Sequence, residues 1–128
     1  MEQQNRHALQ VVIASGPEAL GRAVLGFAFA VCAAISGVKV TVILALGGIA
    51  WAADHEPAAK QSVNGFDSIS NYTDILKDHG ATVRLCSACL SESCAVTMEK
   101  NDQAQLPCVG LTEVAIQAGY GPVPTVVF

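Results

Sequence analysis

Val11-Val12-Ile13-Ala14, followed directly by Ser15-Gly16-Pro17-Glu18, is the stretch on which the fold turns. Four consecutive apolar residues suit a strand buried on both faces of a parallel sheet, where neither side meets water. The next four carry the marks of a helix start. Ser15 can cap, Pro17 suits the first helical position because its missing N–H costs nothing there, and Glu18 stands three residues after Ser15 as a capping box requires. This junction predicts a β–α unit, with the strand over Leu9–Ala14 and the helix running to about Ser36, where Gly37 supplies a left-handed stop.

Outward from this unit the pattern repeats. Val38 to Leu46 is rich in Val, Ile and Thr and reads as a second strand, ended by Gly47-Gly48. Ile49 to Gln61 is irregular, and Trp51, Asp54, His55 and Glu56 fall there as a solvated loop. Asn64 to His79 returns to helical spacing, with Phe66, Ile69, Tyr72, Ile75 and Leu76 on one face and Gly80 as its stop. A third strand, Ala81–Leu85, is followed by a short one at Gln105–Val109, a helix at Thr112–Ala118 and a last strand at Thr125–Phe128. The alternation implies one α/β domain over residues 1–128, with a mainly parallel sheet of about five strands and helices on both faces.

The first helix is the unusual element. Between Arg22 and Lys39 lie 16 residues without a charge, so the helix is apolar all round and must be covered on more than one side. That length falls short of the roughly 20 residues a bilayer span needs, and a strand pattern follows at once, so no membrane crossing is expected. Charged residues make up 14% of the 128-residue chain, against about 25% in an average soluble domain. With so little polar surface to coat a monomer, a homo-oligomer is expected. A net charge of -4 with no Lys/Arg cluster argues against nucleic acid, whose phosphates demand concentrated positive charge. The polar start, Met1 to His7, lacks the pattern of a secretory signal, and the expected location is the cytoplasm.

Chemistry concentrates in the cysteines. Cys86-Ser87-Ala88-Cys89 follows the third strand directly, with Cys94 and Cys108 beyond it, while Cys32 sits among Phe, Ala, Val and Ile and reads as an inert core thiol. In a reducing compartment, four thiols between positions 86 and 108 read as reactive or metal-binding groups and not as a disulfide framework. Three uses fit. Cys86, Cys89 and Cys94 could handle sulfur or redox chemistry through a thiolate, which is the reactive form. Cys86, Cys89, Cys94 and Cys108 could together hold a structural zinc, although the spacing is irregular and lacks a second CxxC pair. A general dithiol oxidoreductase would place an aromatic residue or proline beside its motif, where this chain has Ser87-Ala88. A nucleotide or flavin cofactor is not expected, because the loop after the first strand has neither the GxGxxG fingerprint nor a P-loop lysine.

Val83-Arg84-Leu85-Cys86-Ser87-Ala88-Cys89-Leu90 after a Gly80-ended helix, together with Val11 to Gly16 and Thr125 to Phe128, resembles the DsrE/DsrF-like proteins, and within them the small YchN-type members. The likeness spans nearly the whole chain. It implies a flavodoxin-like three-layer fold, trimeric or hexameric assembly and, as in the related TusD sulfur-relay subunits, a cysteine that carries sulfur as a persulfide between donor and acceptor proteins. By position, Cys86 matches the sulfur-bearing cysteine of the relay members and Cys89 the second cysteine of the YchN type. Cys86, held at a strand end, is therefore the expected carrier, with Cys89 or Cys94 to release the sulfur. Where those relatives show Arg-Gly after the motif, this chain has Ser91-Glu92-Ser93-Cys94.

Overall fold

The structure, a computed structural model, describes residues 7–53, 56–89 and 106–128. Asp54, His55, Cys94 and Gln105 lie outside them. Strands β1 (Ala8–Ile13), β2 (Lys39–Leu44), β3 (Thr82–Cys86), β4 (Cys108–Val109) and β5 (Thr125–Val127) form one five-stranded sheet in the order β4-β3-β2-β1-β5. Every pairing in it is parallel. Helices α1 (Leu20–Ile35) and α2 (Ile69–Asp78) are the crossovers from β1 to β2 and from β2 to β3, while α3 (Leu111–Gly119) carries the chain back from β4 across to β5.

Right-handed crossovers that advance in opposite directions put their helices on opposite faces. Side chains alternate along each strand, so each face has its own core. On one face Val11, Ile13, Val42, Leu44 and Leu85 pack with Val24, Phe27 and Val31 of α1 and Ile69 and Leu76 of α2. On the other a smaller cluster joins Ile43, Ala45, Cys86, Val109 and Val114 of α3. The three-layer architecture expected from the sequence is thus present.

Both ends of α1 feed hydrogen-bonded neighbours in the sheet, and its inner stripe of Ala23, Val24, Phe27, Ala30, Val31 and Ala34 is buried against them. Pro17–Ile35 is long and apolar enough to cross a bilayer by length and composition, but its contacts are those of a core helix. The outer stripe does remain apolar: Leu25 is 47% exposed and Phe29 42%. Cys32 belongs to this exposed stripe and not to the core. It stands nine residues after Ala23, which at 3.6 residues per turn is half a turn away from the sheet.

Two helix starts differ from expectation. The capping box at Ser15 does not form: Pro17–Ala19 make a tight 3-10 turn, α1 begins only at Leu20, and the Glu18 carboxylate accepts instead from the Gly16 N–H at 3.2 Å. The Ser15 carbonyl is already occupied by the Trp51 indole N–H at 2.8 Å. Helix α2 starts at Ile69 and not at Asn64, because Ser68 caps it by accepting from Asn71 N–H and residues 63–66 close a separate turn through Gly65 at φ 76°.

Candidate functional site

The carboxyl ends of β1, β2 and β3 bring three loops together, where chemistry gathers in open α/β sheets. The first two are locked backbone to backbone. A side chain at Gly48 would collide with the Ile13 carbonyl, and one at Gly16 would meet the Gly47 carbonyl. The Trp51 indole then ties the loop after β2 to the loop after β1. At the first residue of the 3-10 turn Leu46–Ala52 that follows β2, Leu46 takes the left-handed conformation at φ 49°, which a residue with a side chain adopts at a cost of about 1 kcal/mol.

That backbone turn meets the cysteine motif. The Leu46 N–H donates to Cys89 Sγ at 3.2 Å. Cys86 is the last residue of β3, and Ser87–Cys89 form a single 3-10 turn after it. The two thiols have different surroundings. Cys86 is 0% exposed, enclosed by Ile43, Ala45, Val109 and Val114 under α3. Cys89 is half-buried at the surface of that same cluster. The strand does hold Cys86 in a fixed position, but it turns the sulfur inward, whereas Cys89 keeps part of its surface exposed.

Cys108 is exposed at the start of β4. It pairs with Leu85, while its neighbour Val109 pairs with Cys86. Residues paired across a parallel ladder share a face, so the pleat directs Cys108 and Cys86 to opposite sides of the sheet. Among the described residues no three His, Cys, Asp or Glu side chains gather around a point that could hold a metal ion. A zinc site made of Cys86, Cys89, Cys94 and Cys108 would have to bridge both faces of the sheet, and nothing in the described residues supports it. The dithiol Cys86–Cys89 is what the fold assembles, with Cys94 outside the described residues.

A family model described as the DsrE/DsrF-like family matches residues 7–119, a span that takes in every element just described up to the end of α3. The chain belongs to the DsrE/DsrF-like family. Among solved structures it is similar to the YchN protein from E. coli, with a TM-score of 0.62 and 16% identity over 96% of this chain and 99% of that one. At that identity the likeness concerns the fold alone, and it agrees with the five-stranded parallel sheet. Comparison with curated proteins finds no match.

Two features of the site were not read from the sequence. The Leu46 N–H as a donor to Cys89 depends on a left-handed residue that is not glycine, and no composition signal marks it. The second was visible: Gln10, Thr41 and Arg84 each interrupt an otherwise apolar strand, and their common face shows only once the register is known.

Proposed function

We propose that this member of the DsrE/DsrF-like family is an intracellular sulfur-transfer protein that carries sulfur as a cysteine persulfide on Cys89, as a carrier and not a turnover enzyme. The observation that supports this most is the contrast of the two thiols of one motif, the one sealed and the other half-buried with a backbone donor on its sulfur. In the loading step the Cys89 thiolate attacks the sulfane sulfur of a donor persulfide. A new S–S bond forms at Cys89 as the donor's S–S bond breaks, and the donor leaves as a thiolate, so no outside oxidant is consumed. Unloading is the same exchange with an acceptor thiolate.

Cys86 has the complementary role. Attack by a free Cys86 thiolate on the inner sulfur of the Cys89 persulfide would give a Cys86–Cys89 disulfide and expel hydrosulfide, wasting the load. Burial among Ile43, Ala45, Val109 and Val114 restrains Cys86 by packing its sulfur under α3, turned away from the loop edge. The sulfur donor and acceptor are proteins whose own thiols approach the exposed loop edge, where Leu46 is 69% and Leu111 55% exposed. The apolar outer stripe of α1 supports the homo-oligomer, trimer or hexamer, that the sequence leads one to expect.

Incubation with a persulfide donor tests this reading. Intact mass should show one added sulfur atom on the wild type and on Cys86→Ser, and none on Cys89→Ser. Loading of Cys89→Ser to the wild-type extent would refute the assignment of Cys89, and a wild type that accepts sulfur from no donor would refute the function.

A further inference from the structure

A parallel sheet covered on both faces is ordinarily apolar on both. Here one face is not. The face under α3 carries Gln10 on β1, Lys39 and Thr41 on β2 and Arg84 on β3, and Gln10 stands directly opposite Thr41 in the ladder. Gln10, Lys39 and Thr41 occupy the amino-terminal part of that face, Arg84 stands beside Ile43 at its middle, and Cys86 and Val109 fill the carboxyl end. Between the polar part and α3 lies a cavity of about 200 Å³, whose wall also includes Glu113 and Gln117 of the helix.

Much of this polar set is only partly matched within the chain. Gln10 is satisfied, donating to the Val114 carbonyl at 3.2 Å and to Thr125 Oγ1 at 2.8 Å. Arg84 is not. Its Nη1 pairs with Glu113 Oε2 at 3.2 Å, but its Nε–H is buried and has no hydrogen-bond acceptor. A buried donor without an acceptor is costly, all the more on a charged group. Two cations, Lys39 and Arg84, against the single carboxylate of Glu113 leave the cavity wall with one positive charge in excess.

We infer that this cavity under α3 is a binding site for a small carboxylate or comparable oxyanion, seated on Arg84 and Lys39 and independent of the cysteine loop. A guanidinium offers a flat edge of N–H groups that matches two oxygens of one anion, and with Nη1 given to Glu113 the edge formed by Nε–H and Nη2 is left for this purpose. Lys39 supplies the second charge, and the Thr41 hydroxyl and Gln117 amide line the remaining wall. The volume fits a metabolite of a few carbon atoms. The glutamate sets the affinity, because it competes with the ligand for the same guanidinium.

Calorimetric titration of the full chain with sodium malonate, and separately with sodium sulfate, at neutral pH and constant ionic strength tests this. The wild type should bind one anion per chain saturably; malonate alone would identify a carboxylate site, and both together a general oxyanion site. Arg84→Gln should weaken binding about tenfold or more. Lys39→Gln, at an exposed strand start, should weaken it less and keeps the test valid if Arg84→Gln fails to fold. Glu113→Gln should bind several-fold more tightly, an effect a purely structural ion pair would not produce. No saturable binding of either probe by the wild type, binding unchanged in both cation variants, or a Glu113→Gln variant that binds no better would each overturn the inference.

Discussion

The two faces of the sheet are built to different ends. The face under α1 and α2 is a continuous apolar layer from Val11 to Leu85, closed by two helices, and it holds most of the core. The face under α3 is divided: its carboxyl end is apolar and encloses Cys86, and the rest presents Gln10, Lys39, Thr41 and Arg84 to a cavity. One face supplies stability. The other spends part of its area on groups that a stable core would exclude, and the thiol motif stands at its end.

The largest difference should appear on truncating a core side chain on each face. Phe27, 2% exposed at the centre of the first face, should cost about 3–5 kcal/mol as Phe27→Ala in denaturant unfolding. Val114, 7% exposed in the smaller cluster of the second face, should cost about 1–2 kcal/mol as Val114→Ala, because it removes fewer buried atoms. Equal losses would break the comparison.

A middle-sized effect separates the thiols. Cys86→Ser places a hydroxyl among Ile43, Ala45, Val109 and Val114 and should lower stability by about 1–3 kcal/mol. Cys89→Ser, at a half-buried site with a backbone donor already in place, should change it by no more than about 0.5 kcal/mol. Thermal melts of both variants check this, and matching melting temperatures would show that burial does not distinguish the two positions.

Smaller effects sharpen the polar part. Gln10→Leu removes two hydrogen bonds made by a residue 7% exposed, and the net loss should be about 1 kcal/mol, since a leucine recovers some burial. Glu113→Ala should move the melting curve least. Its partner Arg84 is 34% exposed and Glu113 itself 56%, and exposed pairs contribute about 0–1 kcal/mol. A loss at Glu113 larger than at Gln10 would mean that the ion pair holds α3 on the sheet.

The layout of this fold was legible wherever apolar runs and stops coincide. Val11 to Ile13 and the Gly37 and Gly80 stops fall where hydropathy and turn chemistry place them, and the first and last strands each end one residue before the expected Ala14 and Phe128. Helix starts were less legible: Ser15 and Glu18 have the capping-box spacing, yet Pro17–Ala19 close a 3-10 turn in which Glu18 accepts from the Gly16 N–H. The cysteine motif stood out in the sequence, but not which of its thiols faces inward: that depends on the phase of the pleat at the last residue of β3 and on α3 returning over that face. Cys32 was misjudged for a similar reason, since an all-apolar helix does not declare which of its sides meets the sheet.

The central claim is that Cys89, not Cys86, receives sulfur, and the direct measurement is to load the wild-type chain from a persulfide donor, trap it under native conditions and locate the added sulfur by peptide mass mapping. The account predicts the modification on Cys89, with Cys86 unmodified until the protein is denatured. Sulfur found on Cys86 in the native protein, with Cys89 free, would contradict it.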